Sequence, residues 1–180
     1  RSLSRMHNEW NKDFDIEFNN SSLMDYLVLL SIKSETLLKE LINQNEDHEM
    51  TLGKIIKKYS FLLSSGYEFR KGLDFCLEIW SKYTKSSTGF SKVPEFVNQT
   101  NLSNNDKWFA ENILLFAQAR NYFVHCYTYD NTNINLETLS MITKSIITSV
   151  LLLSCSYIDR IAEQSLQPDS AACHGLCYSR

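Results

Sequence analysis

Proline and glycine are scarce: two Pro and five Gly in 180 residues. So few turn formers exclude a sandwich or barrel with many tight turns and make a mostly helical chain the first expectation. No long apolar run is present either. The longest block, Ile146 to Leu153, is broken by Thr148 and Ser149 and is far shorter than the roughly 18 residues a membrane span needs, so it is expected to be a buried helix segment. The composition, 43% hydrophobic and 22% charged, fits a globular protein and not a disordered or membrane-spanning one. A net charge of -3 argues against a surface basic all over, but leaves room for a local basic patch. The five cysteines (Cys76, Cys126, Cys155, Cys173, Cys177) are odd in number, lack framework spacing and follow no apolar leader. A reducing compartment is therefore expected: cytoplasm, or nucleus in a eukaryote. The sequons at Asn19, Asn20, Asn98 and Asn101 are discounted in a chain with fifteen Asn. The sequence opens on Arg1 rather than Met, from which a longer or processed polypeptide is expected.

What is present is helical periodicity. After an arm (residues 1–22), Ser21 and Ser22 read as an N-cap ahead of a helix from about Leu23 to Ile42, with Leu23, Tyr26, Leu27, Leu30, Leu37, Leu38 and Leu41 at helical spacing. Thr51 caps a second helix through Leu52, Ile55, Ile56 and Tyr59. Gly66 interrupts, and Phe69, Leu73, Cys76, Leu77 and Trp80 make a third stripe ending near Tyr83. Thr84 to Asn105 carries Gly89, Pro94 and repeated Ser and Asn without a period, which predicts the longest irregular connection, an insertion or lid. Asp106 opens a fourth helix through Phe109, Ile113, Phe116 and Ala117. A polar loop follows from Thr128 to Asn135, and Leu136 to Ile161 forms a final helix of about seven turns. One domain over residues 23–165, an all-α up-and-down bundle of four to five helices, precedes a tail over 166–180.

The chemistry concentrates in Arg120-Asn121-Tyr122-Phe123-Val124-His125-Cys126-Tyr127. Asn121 and His125 form an i,i+4 pair on one face, whereas Arg120 and His125 diverge by about 140° on an ideal helix. They meet only through arginine's reach, a distorted helix end or a second subunit. The plain reading is structural: Arg120 pairs with an acid such as Glu111 or Asp130, and His125 satisfies carbonyls at a helix end.

The Arg-Asn-x3-His pattern with His-x-Tyr behind it, on the penultimate long helix of an all-helical chain, resembles the HEPN (higher eukaryotes and prokaryotes nucleotide-binding) family. Thr51-Leu52-Gly53-Lys54-Ile55-Ile56 is similar to the Leu-Gly helix start of several HEPN groups. The resemblance spans roughly Leu23 to Gln164, though its specific part is about eight residues. It implies metal-independent RNA cleavage by a homodimer, with no cofactor, Arg120 and His125 as the active pair and Asn121 positioning them. RNA supplies its own 2′-OH nucleophile, so a histidine moving a proton and a guanidinium stabilising the phosphorane suffice. The alternative is a non-catalytic HEPN module that binds a nucleotide, dimerises or contacts a partner within a larger RNA-processing or defence protein. A third option is a helical scaffold. Tyr127 resembles the tyrosine that a nucleotidyltransferase antitoxin modifies in some HEPN toxins. Its competing reading is a plain helix-end residue.

Lys54 to Lys92 holds eight basic residues against three acids. Lys54, Lys57, Lys58, Arg70 and Lys71 are the candidate RNA-backbone contacts, with a solvated helix face as the alternative. Cys173, His174 and Cys177 lack the second pair a zinc site needs, so no metal site is expected. Expected partners are RNA, a second copy of the chain and an antitoxin or the remaining polypeptide, without a membrane.

Overall fold

The computed structural model describes residues 20–42, 50–62, 67–84, 89–126 and 135–166, leaving out the side chains of 20–24, 62, 125, 126, 160 and 163–166. Among the described residues there are six α-helices and no strand: α1 (Asn20–Ile42), α2 (Leu52–Leu62), α3 (Arg70–Tyr83), α4 (Lys92–Asn98), α5 (Asn104–Asn121) and α6 (Leu136–Leu166). A π turn, Tyr122–Cys126, extends α5. The fold is therefore all-α, with one helix more than the sequence suggests. α1 begins at Asn20, which puts Ser21 and Ser22 inside its first turn rather than ahead of it. The arm up to residue 19 and the tail beyond 166 lie outside the described residues.

The central element is α5. Its residues from Asn112 to Ala119 are all buried, because α6 and α3 pack along it most extensively and α4 and α1 also touch it. A helix covered on several sides has no polar stripe to show, which is why Ile113 to Ala119 is apolar at every position but Gln118. The start of α5 is fixed locally: Ser103 is the N-cap, its Oγ accepting from the Asp106 N–H (3.1 Å) and donating to Asp106 Oδ2 (2.6 Å). The same buried carboxylate reaches across to α3, where Asp106 Oδ1 accepts from the Gly72 N–H (2.8 Å). Phe69, at the N-cap of α3, supplies no side-chain cap, so a residue 34 positions away satisfies an amide that a helix start leaves open. The helices meet closely there, since a Cβ on Gly72 would lie 2.6 Å from the Asp106 carbonyl oxygen.

The stretch read as an irregular insertion needs correction. It contains α4, whose Val93 and Val97 are fully buried beside α5. Pro94 does not prevent this, because it is the third helical residue, where backbone N–H groups have no intrahelical acceptor. Phe96 stacks on Tyr83 (4.2 Å) and Phe75 (5.7 Å), fastening the connection to α3.

α6 completes the core with Leu139, Ile142, Ile146 and Leu153. Tyr59 of α2 donates to the Leu153 carbonyl (2.8 Å), and burial pushes its phenol well above the usual tyrosine range, holding it as a donor. The expectation from composition overlooked one property of this helix. Leu136–Asp159, with mean hydropathy 1.6, is long and apolar enough by length and composition alone to cross a membrane. The core helix of a soluble bundle passes the same test.

Candidate functional site

Arg120 stands in the last turn of α5, where α1, α2 and α3 converge on it. Its Nε donates to Glu35 Oε2 of α1, and Lys39 Nζ sits 2.9 Å from the other carboxylate oxygen, Glu35 Oε1. Glu35 is thus nearly sealed (side chain 5% exposed) between two cations, while the Arg120 side chain keeps 19% of its surface. Arg120 Nη1 donates to Asn121 Oδ1 (3.3 Å), and Asn121 Nδ2 donates to the Thr84 carbonyl (2.7 Å). Thr84 in turn ends α3 by donating its N–H (3.1 Å) and hydroxyl (2.5 Å) to the Trp80 carbonyl. One connected set of polar groups therefore ties α1, α5 and the end of α3 together.

In front of it lies a cleft of about 250 Å³, in which Thr51, Leu52 and Gly53 of α2 face Trp80 of α3 and Ala117, Arg120 and Asn121 of α5. Gly53 permits the close approach of the indole, since a Cβ there would lie 2.8 Å from Trp80 Nε1. Residues lining the cleft bring a guanidinium, a hydroxyl and a carboxamide, and none of the described lining residues is an acid. Such a lining suits an anion.

His125 lies in the π turn, and only its backbone is described. A π turn closes hydrogen bonds five residues apart, so it needs more residues per revolution than an α-helix and brings positions five apart toward one face. The divergence of positions 120 and 125 expected on an ideal helix is thereby reduced, and a distorted helix end is one of the three routes open to the pair, beside arginine's reach and a second subunit. Tyr127 lies outside the described residues, as do Asp130 and the tail with Cys173, His174 and Cys177.

Several expectations are revised. The acid on Arg120 is Glu35, not Glu111, which lines a different groove between α5 and α6. Phe123, an apolar residue of the motif, is buried in its own chain, 5.3 Å edge-on from Tyr122 and 6.4 Å from Phe90, and so is not open to a second subunit. Val124 is the exposed apolar residue there. Of the basic set, Lys54 and Lys57 are exposed on α2, Lys58 is half-buried and engaged there, and Lys71 is exposed at the start of α3. Arg70 is engaged structurally, donating to Asp74 Oδ2 (3.0 Å) and the Ser60 carbonyl (2.7 Å), so it clasps α2 to α3. Sequence reasoning missed Lys39 and Trp80. The sign for Glu35 was available, as it shares the buried face of α1 with Ser31, Leu38 and Ile42, and a lone acid at a core position implies a partner.

Against protein-family models, curated proteins and solved structures alike, the chain finds no match. The likeness to HEPN proteins rests on its residues.

Proposed function

We propose that this chain is a metal-independent endoribonuclease whose Arg120 and His125 act in a cleft of a homodimer. The observation that carries the reading is a juxtaposition. The two stretches that resemble HEPN proteins, Thr51 to Gly53 and Arg120-Asn121, are far apart in sequence and line one cleft. In this reading a 2′-OH attacks the adjacent phosphorus, His125 moves the proton, and Arg120 stabilises charge on the phosphorane. The products are a 2′,3′-cyclic phosphate and a 5′-hydroxyl. Glu35 supplies countercharge behind each guanidinium, which lowers the repulsion between two copies of Arg120 across a two-fold axis. Lys54, next to the cleft, and Lys57 are the exposed lysines of α2 and give the RNA backbone a path.

The second reading, a non-catalytic module that binds a nucleotide or a partner, draws on the same ion pair. An arginine held by a buried acid has less charge to lend to a transition state. Incubating the purified protein with single-stranded and structured RNA in EDTA separates the two. Cleavage to cyclic-phosphate ends, lost in Arg120→Lys and His125→Ala while the circular dichroism spectrum is unchanged, supports the nuclease. Saturable nucleotide binding without cleavage supports the module.

A further inference from the structure

Trp80 brings an indole N–H to the Arg120 cleft, and no acceptor for it exists among the described residues. The side chain is half-buried, a setting in which an indole N–H ordinarily finds a partner. The nitrogen is not one of the sealed, partnerless polar atoms of the core, so it opens to solvent. The position of Gly53 shows where. Nε1 itself is the atom nearest to where a Gly53 Cβ would stand (2.8 Å), with Cε2 at 3.3 Å and Cδ1 at 3.5 Å. The N–H edge of the ring therefore meets Gly53 in the cleft wall, and the missing side chain of glycine keeps that edge clear.

The other polar side chains of the lining also give protons rather than take them. Arg120 is held by Glu35 at Nε and by Asn121 at Nη1, and a guanidinium accepts nothing. Asn121 Oδ1 already accepts that Nη1, and its Nδ2 donates to the Thr84 carbonyl (2.7 Å). The Thr51 hydroxyl accepts the Lys54 N–H (3.4 Å), which leaves its own proton to give. A positive charge with donors on α2 and α3 and no acid in the described lining repels a cation and wastes its donors on an apolar ligand. A tetrahedral phosphate, by contrast, accepts in several directions at once. The volume of about 250 Å³ is space for roughly eight waters, enough for one phosphate and the start of its ester arms.

We propose that Trp80 is a phosphate-binding residue, its Nε1–H donating to an oxygen of the phosphate that Arg120 holds, with the Thr51 hydroxyl as the third donor. The phosphate belongs to an RNA backbone or to a free nucleotide, and the assignment rests on the reading of the Arg120 cleft as the functional site. A single cation leaves a phosphate free to turn, whereas a donor from a second helix fixes its orientation.

The test reads binding apart from cleavage. Fluorescence anisotropy with a labelled 2′-O-methyl RNA, whose nucleophile is blocked, and calorimetry with AMP measure the two phosphate sources. Trp80→Phe keeps a ring beside Gly53 and removes the N–H. It is expected to weaken binding roughly tenfold, as for one lost hydrogen bond to a charged group, with an unchanged urea midpoint. Trp108→Phe, at an indole of the α5–α6 groove, should leave affinity unchanged. In proton–nitrogen correlation spectra of the parent protein, the Trp80 indole resonance should move downfield on titration while that of Trp108 stays. An effect on the RNA assigns the phosphate to a backbone, and an effect on AMP alone assigns it to a nucleotide. Affinities indifferent to Trp80→Phe, an unmoved Trp80 resonance at saturation, or no saturable binding of either ligand at millimolar concentration overturns the proposal. Binding weakened by Trp80→Phe in a protein that cuts no RNA supports it while removing the nuclease. Cutting by a protein whose affinity ignores that change does the reverse.

Discussion

Arg120 and Glu35, 85 residues apart in the chain, form an ion pair that joins the end of α5 to the middle of α1. Because Lys39 holds the second carboxylate oxygen, Glu35 cannot turn away from Arg120 without abandoning a second partner. The guanidinium is therefore pinned at Nε, and its Nη1 is turned to Asn121, which lines the cleft together with Arg120. This fixes the direction of the charge before a ligand arrives, and pre-organised charge is the form most useful to a developing oxyanion.

The pair separates stability from function. Glu35→Gln leaves Arg120 and Lys39 without their shared countercharge, and a loss of roughly 3 kcal/mol in urea unfolding is expected, as for other broken buried pairs. Arg120→Lys keeps the positive charge beside Glu35 and should cost much less, yet it removes the planar fork that matches a phosphate. Loss of RNA cutting with near-normal stability in Arg120→Lys is the expected result. Full cutting by that variant would reduce Arg120 to a structural partner of Glu35.

An interface beside the motif has to use Val124, since Phe123 is buried within its own chain. Val124→Asp is expected to shift the protein toward monomer in sedimentation at tens of micromolar, with little change in unfolding midpoint, and to lower RNA cutting in parallel. A mixture of Arg120→Ala and His125→Ala chains should regain part of the activity if one intact cleft is assembled from both subunits. A fully active monomer contradicts the shared site.

Apolar residues at helical spacing placed α2, α3, α5 and α6 to within a few residues, α2 and α3 through one buried stripe and α5 and α6 through the length of their apolar runs. α4 escaped for the opposite reason: seven residues hold only the Val93 and Val97 repeat, and Gly89, Pro94 and the surrounding Ser and Asn mask it. Arg120 and Asn121 were legible as polar interruptions of an apolar helix. Trp80 was not, since an aromatic at a stripe position reads as core and only the tertiary approach of Gly53 turns it toward a cleft. The π turn left no trace in residue types, because it is a backbone event. The basic excess was legible as a count, but a count cannot show that Arg70 is held by Asp74 and the Ser60 carbonyl, or that Lys82 lies 5.1 Å from the Tyr83 ring.

Two glycines make close helix contacts with different tolerance. A Cβ on Gly72 meets the backbone of Asp106 at 2.6 Å, and backbone cannot step aside, so Gly72→Ala must part α3 from α5 and strain the Asp106 cap. A loss of roughly 1–3 kcal/mol is expected. A Cβ on Gly53 meets only the indole of Trp80, a side chain partly open to the cleft. Gly53→Ala should leave stability within about 1 kcal/mol while shifting the Trp80 fluorescence and weakening ligands of the cleft. Equal destabilisation by both changes would mean that Trp80 is held as rigidly as backbone.

Glu111 gives the stability a pH signature. Burial raises its folded-state carboxyl above the unfolded value, so between those two values the folded chain binds more protons than the unfolded one. Stability from this group is then complete below the unfolded value of about 4.3 and declines as pH rises through the folded one. The charged groups facing it are Glu137 and Lys144 across the groove on α6, while Lys107, one turn earlier on α5, is engaged with the Asn98 carbonyl (3.0 Å). Glu111→Gln removes the cost of burying the charge, so the variant is expected to unfold at higher urea than the parent protein at pH 7. The two curves should converge near pH 3, well below the unfolded value of about 4.3, where the glutamate is protonated in both states. A variant less stable than the parent at pH 7 would mean that the Glu111 carboxylate already has a cation in solution.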